Sequence, residues 1–143
     1  MKIFGHGDNW LIEDQLSDEL LDKIKNFFQL NLQFLHEDSK KYSTNGNAKQ
    51  FWIKNAEYNF QNLTVKQQFD KIEKEYNKQI IGRVKESSLL KENIKLKHNS
   101  SWAVIGEEGA YHKFHTHGQG MPKALSTVLY LKMPENEGNY RKY

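Results

Sequence analysis

Apolar residues recur along this chain with two different periods. Leu20, Leu21, Ile24, Phe27 and Phe28 fall at spacings of three and four, which is the buried stripe of an amphipathic helix. Ser17 stands just before the stripe, where a hydroxyl can accept from the free N–H groups of a first turn. Asp18 and Glu19 follow, where the helix dipole favours negative charge. The pattern predicts a helix over 17–35. A second stripe runs through Val65, Phe69, Ile72, Tyr76 and Ile80, with lysine and glutamate on the other face. Thr64 and Gln67 have the spacing of a capping box, so this helix is predicted to open at Leu63-Thr64-Val65 and to reach Arg83 or beyond.

Elsewhere the signals are those of strands and turns. Trp10-Leu11-Ile12 predicts a short strand, and Phe51-Trp52-Ile53 is an apolar cluster whose type the pattern does not fix. Ser43 to Asn47 reads as a turn, because Asn and Gly tolerate positive φ. Ile94 to His98 alternates with period two, and Trp102 to Ile105 is a short apolar run. Gly106-Glu107-Glu108-Gly109 reads as a hairpin connection, Tyr111 to His117 as a strand, and Leu125 to Met133 as a β-rich run that stops at Pro134. The expected order is helices first and antiparallel strands second, an α+β chain. With no Pro/Gly-rich linker, residues 1–143 are expected to form a single domain, 1–90 mostly helical and 91–143 the β part.

Composition narrows the class. Mean hydropathy is −0.86, polar for a folded chain. Seven Tyr, eight Phe and three Trp nonetheless set it apart from disordered chains, which are poor in aromatics. No apolar run could cross a bilayer and no signal-peptide stretch opens the chain, so a cytoplasmic protein without a membrane partner is expected. The absence of cysteine excludes disulfides, thiolate metal sites and a cysteine nucleophile. Net charge is +3, and Arg83 and Arg141 are the only arginines among 21 basic residues. Lysines alternate with acids in the second helix (Lys71, Glu73, Lys74, Glu75), the pattern of a solvated face, so a nucleic-acid partner is not expected.

The chemistry concentrates in one stretch. His112, His115 and His117 are half of the chain's six histidines. On a strand, His115 and His117 would project to one face, as two imidazole ligands of a shared metal must, while His112 would face away. Imidazole suits Fe, Zn, Cu and Ni. The spacing leaves open a plainer alternative, two hydrogen-bonded histidines on a strand. Gly109 and the Gly118-Gln119-Gly120 turn bracket the pair, and Trp102 and Tyr111 would supply an aromatic wall. His6, His36 and His98 remain available as further ligands, although His36 and His98 read first as ordinary polar residues. Glu107 and Glu108 read as solvated turn residues.

Three runs together carry a resemblance: Ser101-Trp102-Ala103-Val104-Ile105, then Gly109-x-Tyr111-x-x-x-His115-x-His117, then Leu125-Ser126-x-Val128-x-Tyr130-Leu131. This region, roughly residues 101–138, resembles the core of the 2-oxoglutarate/Fe(II)-dependent oxygenases, those of marine bacteria and phages most of all. The opening Leu16-Ser17-Asp18-Glu19-Leu20 is also similar to the start of such enzymes. The resemblance implies a double-stranded β-helix (jelly-roll, cupin-like) with the N-terminal helices packed on one side. It implies a hydroxylase using Fe(II) and the co-substrate 2-oxoglutarate, with ascorbate as reductant in assays, acting on a substrate that the sequence does not identify. His115 matches the first metal-binding histidine, and His117 stands where the family usually carries Asp or Glu. Tyr130 matches a tyrosine that touches the distal carboxylate of 2-oxoglutarate, and Ser126, of equal parity, would face the same pocket.

The family also carries a later histidine ligand and a carboxylate-binding arginine. Here no histidine follows His117, and Arg141 is the only later arginine. The expectation is an incomplete sheet in a C-terminally truncated or inactive copy, with a missing segment or a second copy of the chain to complete it. Two other readings stand beside it. A cupin-like metal protein is suggested by Gly109 before His115-x-His117, although Gly118 to Ala124 lacks the glutamate of that motif. A non-catalytic interaction module would use the exposed sheet edges of the same scaffold.

Overall fold

The computed structural model describes residues 1–6, 9–38, 48–54, 60, 62–88, 98, 100–107, 110 and 125–132. The chain divides into two compact units, Met1–Lys113 and Phe114–Tyr143. All the regular elements described lie in the first. They are strands β1 (Lys2–His6) and β2 (Asn9–Glu13), helix α1 (Asp18–Asn31), a 3-10 turn (Leu32–Phe34), strands β3 (His36–Glu37) and β4 (Ala48–Lys54), helix α2 (Leu63–Glu86) and strand β5 (Ser101–Gly106).

The chain is thus α+β, with two helices and small antiparallel sheets, but its elements are interleaved. Four of the five strands precede α2, so the expected succession of helices then strands is not what the fold uses. Among the described residues the sheets are open and no barrel is closed. β1 and β2 pair as an antiparallel ribbon with Phe4 opposite Leu11 and Gly5 opposite Trp10. Gly5 has φ 134°, a backbone conformation open to glycine and strained for other residues. The second sheet has the order β3-β4-β5, all antiparallel. Phe51-Trp52-Ile53, left unassigned by its pattern, is therefore the middle of a central strand.

Helix α1 begins as expected. The Ser17 hydroxyl accepts from the Leu20 amide at 3.4 Å, with Asp18 and Glu19 in the first turn. It ends earlier than the predicted residue 35. Buried Asn31 donates from its side-chain amide to the Phe27 carbonyl at 2.9 Å and to Gln68 Oε1 at 3.0 Å. A side chain that bonds its own helix backbone competes with the regular ladder. The chain tightens into the 3-10 turn, and Leu35 enters β3 extended.

Helix α2 corrects the predicted capping box. Its cap is Asn62, whose Oδ1 accepts from the Thr64 amide at 3.0 Å and the Val65 amide at 3.2 Å. Thr64 is already inside the helix. The far end closes on Ser88 at φ 57°, the left-handed position that commonly follows a helix.

The helices are antiparallel, as their cross-contacts show. Ser17 meets Gln79, Lys23 meets Glu75, Phe27 meets Phe69 and Asn31 meets Gln68. The core gathers where they cross the sheet. Phe27, Leu35, Phe51, Ile53, Val65 and Phe69 are buried together, with Phe28, Leu32, Phe60, Ile72 and Ala103 packed against them. Phe69 has its ring centroid 5.8 Å from Phe27 and 5.5 Å from Phe60. No helix among the described residues is long and apolar enough to cross a membrane.

The cap assignment gives a direct test. Asn62→Ala is expected to cost about 1 kcal/mol of stability in urea unfolding, the usual loss for a removed cap. Thr64→Ala, which touches no cap hydrogen bond, is expected to stay within about 0.5 kcal/mol of the parent.

Candidate functional site

All four residues singled out by the resemblance fall in the second unit. His115 and His117 lie outside the described residues, as do His112, Tyr111 and the Gly118-Gln119-Gly120 turn. Ser126 and Tyr130 are described. Both are exposed, Tyr130 at 69%, and they sit in a segment, 125–132, that forms no strand. The expected β-run over Leu125 to Met133 is therefore not present over 125–132. Strand preference measures packing against neighbours on a pleated surface, and Leu125, Val128 and Tyr130 are all exposed. Shared parity on a strand does not relate Ser126 to Tyr130 here.

The strand that leads toward the motif is well placed. β5 is the first of the three runs that carry the resemblance, and it pairs along β4 with Trp102 opposite Trp52 and Ala103 opposite Phe51. Directly opposed residues of an antiparallel pair share a face. Phe51 and Ala103 belong to the helix-packed core. Trp52 and Trp102 lie on the other face, centroids 5.5 Å apart at 62°, and His36 is opposite Trp52. The indole N–H of Trp52 reaches Asp38 Oδ2 at 3.5 Å. Past β5 the chain turns back, with the Ala110 amide donating to the Glu107 carbonyl at 2.9 Å. A Cβ on Gly106 would stand 3.2 Å from that of Ala110, a tight approach that Ala110 would have to ease by a few tenths of an ångström.

A polar cluster that the sequence did not suggest lies on the helix side of this sheet. Glu73 of α2 accepts from Lys54 at 3.1 and 3.2 Å through its two oxygens. His98 Nδ1 is 2.6 Å from Glu73 Oε1. Glu73 and His98 are about four-fifths buried, at 15% and 19% side-chain exposure, whereas Lys54 is 40% exposed. The His98 ring also leans on Phe69, centroids 6.3 Å apart. The Ser101 hydroxyl is buried and without a partner. Lys54 already neutralises Glu73, and among the described residues no third potential ligand joins Glu73 and His98. Their evident work is to fasten the chain ahead of β5 to α2. Sequence spacing offered no sign of this, since Lys54, Glu73 and His98 are far apart along the chain.

A second cluster fastens β2 and the start of α1 to α2. Arg83 Nε is 2.8 Å from Asp14 Oδ2, and the N-terminal ammonium is 3.3 Å from Asp14 Oδ1. Ser17 and Gln79 bond reciprocally, amide to side-chain carbonyl at 3.1 Å and side-chain amide to hydroxyl at 2.8 Å. The Asp14 carboxyl is held below its ordinary range, chiefly by the Gln15 amide that donates to it; burial opposes this, and the N-terminal ammonium and Arg83 add to the lowering. Among the described residues no three His, Asp or Glu side chains converge as a metal site would require. No family model, curated protein or solved structure matches this chain.

Two measurements test the fasteners. Glu73→Ala removes the acceptor shared by Lys54 and His98, and is expected to lower stability by about 1–3 kcal/mol, less for Glu73→Gln. The lowered Asp14 carboxyl contributes stability that is present above its unfolded-state range and is lost as pH falls through the folded one. Asp14→Asn is therefore expected to flatten the acid limb of a stability-against-pH curve and to leave the alkaline limb unchanged.

Proposed function

We propose that this chain is a non-haem Fe(II)/2-oxoglutarate-dependent oxygenase of the hydroxylase type, with His115 and His117 as its imidazole ligands. The observation that carries the reading is the His115-x-His117 motif, set between Ser101–Ile105 and the Ser126–Tyr130 segment. Its structural support is the fold around the first of those runs. Ser101–Ile105 is a strand in an antiparallel sheet whose one face is covered by helices, while Trp52 and Trp102 lie on the other. On this reading that sheet is one wall of a double-stranded β-helix, and the enzyme works in the cytoplasm.

The donor set fits iron by its chemistry. Two neutral imidazoles leave room for a third ligand and for a bidentate 2-oxo acid, which is how such sites keep positions open for reaction. When bound, Fe(II) with 2-oxoglutarate supplies the oxidation of a substrate C–H bond by O₂, coupled to loss of CO₂ from the co-substrate. The chain's own part is to bind and orient. His115 and His117 hold the metal through one nitrogen each, and must be unprotonated there to do so. The exposed hydroxyls of Tyr130 and Ser126 donate to the co-substrate carboxylate. The phenol and the alcohol carry no net charge, so they fix direction more than affinity.

The test is succinate formation from 2-oxoglutarate with Fe(II) and ascorbate. Because no histidine follows His117, weak Fe(II) binding and slow turnover by the purified chain are expected, with loss of both in His115→Ala and in His117→Ala. A smaller loss, seen mainly as a raised KM for 2-oxoglutarate, is expected in Tyr130→Phe. Failure of the parent chain to form succinate and to bind Fe(II) anaerobically would end this reading. Retention of zinc or nickel by the parent, without any effect of 2-oxoglutarate, would point to the cupin-like alternative.

A further inference from the structure

Linear order mixes the signs of charge in α2, and the fold separates them. The helix holds four acids, Asp70, Glu73, Glu75 and Glu86. Each is taken by a named cation: Asp70 by Lys66, Glu73 by Lys54 and His98, Glu75 by Lys23 of α1, and Glu86 by Arg83. Lys71, Lys74, Lys78 and Lys85 are left. All four are exposed, and none of their side chains has a hydrogen bond or ion pair among the described residues. At 3.6 residues per turn they fall within an arc of about 60°, and they extend ~21 Å along the axis. Gly82 belongs to the same strip, with nothing within 4 Å of where its Cβ would stand. Lys74, Lys78, Gly82 and Lys85 line a shallow open groove with Asn77, Ile81 and the acids Asp70 and Glu73, the two acids being already paired with Lys66 and Lys54.

We propose that this lysine face of α2 docks the phosphate backbone of a nucleic-acid duplex without reading its sequence. The inference stands apart from the metal chemistry of the second unit and survives its failure. The choice of partner follows from what the strip contains. Lysine is a point charge that suits phosphates, whereas base reading relies on forked or amide side chains in a groove. No aromatic lies on the strip, so stacking with single-stranded bases is not offered. Ile81, the one apolar residue of the groove, is half-buried, so nothing is presented for insertion into a lipid interface. An acidic protein partner would ordinarily anchor on a central apolar pocket, and the strip has none. The groove lets a phosphate chain approach Gly82 closely.

Fluorescence anisotropy with two unrelated duplexes of about 20 base pairs tests the proposal. Equal affinity for both is expected. Four phosphate contacts predict that affinity falls about 150-fold between 50 and 200 mM salt, and the Lys74→Gln/Lys78→Gln double variant should reduce that fall to about tenfold. Lys71→Gln/Lys85→Gln should do the same, which guards against a local folding defect in either pair. Lys66→Gln, whose parent side chain is already paired with Asp70, should leave the salt slope unchanged. Absence of duplex binding at 50 mM salt, or a slope that neither double variant alters, overturns the proposal. So does binding to phosphatidylserine vesicles by a chain that ignores both duplexes.

Discussion

The first unit depends on Phe69. This one ring lies against Phe27 of α1, Phe60 ahead of α2 and the imidazole of His98, and it belongs to the same buried cluster as Phe51 and Ile53 of β4. The helix pair and the central strand therefore meet at a single aromatic junction. A polar chain has few other means of closing a core. Aromatic side chains each bury roughly 150–250 Å², and their tilted and edge-on contacts add to the area removed from water. The scarcity of aliphatic residues is thus offset by concentrating the rings where three elements converge. The β1–β2 ribbon shows the contrary case. Its Phe4 and Leu11 are paired with each other yet exposed, and the cluster around Asp14 joins its end to α2 through charge.

Away from that junction, polar contacts hold the two helices in register. From one end to the other α1 and α2 are joined by Ser17–Gln79, Lys23–Glu75 and Asn31–Gln68. Exposed ion pairs contribute little individually. Their effect here is one of register: an antiparallel pair with a narrow apolar stripe can slide by a turn, and each of these contacts would be lost if it did. The same arrangement decides the surface. By drawing the acids of α2 toward α1, β4 and the helix's own cations, it leaves the remaining lysines as a strip of one sign.

Much of this was legible in the order of residues, and the misses have physical causes. The Ser17 cap and both apolar stripes could be read because they are local, set by spacings of three and four. The true cap of α2 was missed because Asn62 and Thr64 compete for one role, and the backbone at Asn62, extended at φ −99° and ψ 112°, decides between them. The early end of α1 depends on Gln68, a partner 37 residues away, which no local pattern contains. β4 was ambiguous because a central strand covered on both faces loses its alternation: Ala48, Gln50, Phe51 and Ile53 are all buried. Over 125–132 the composition favours a strand, and composition alone did not secure one. For the candidate site, the types and spacing of His115 and His117 could be read. The Glu73–His98–Lys54 cluster could not, since it joins three distant segments.

The division of the chain into Met1–Lys113 and Phe114–Tyr143 bears on how stability and chemistry relate. The aromatic junction, the helix register and both ionic clusters belong to the first unit. The two motif histidines, Ser126 and Tyr130 belong to the second. Substitutions that weaken the junction act on the first unit, whereas His115, His117 and Tyr130 belong to the second. Within the first unit, β5 is held in place just ahead of the turn at Glu107–Ala110. Its anchors are the pairing with β4 and the tether of His98 to Glu73.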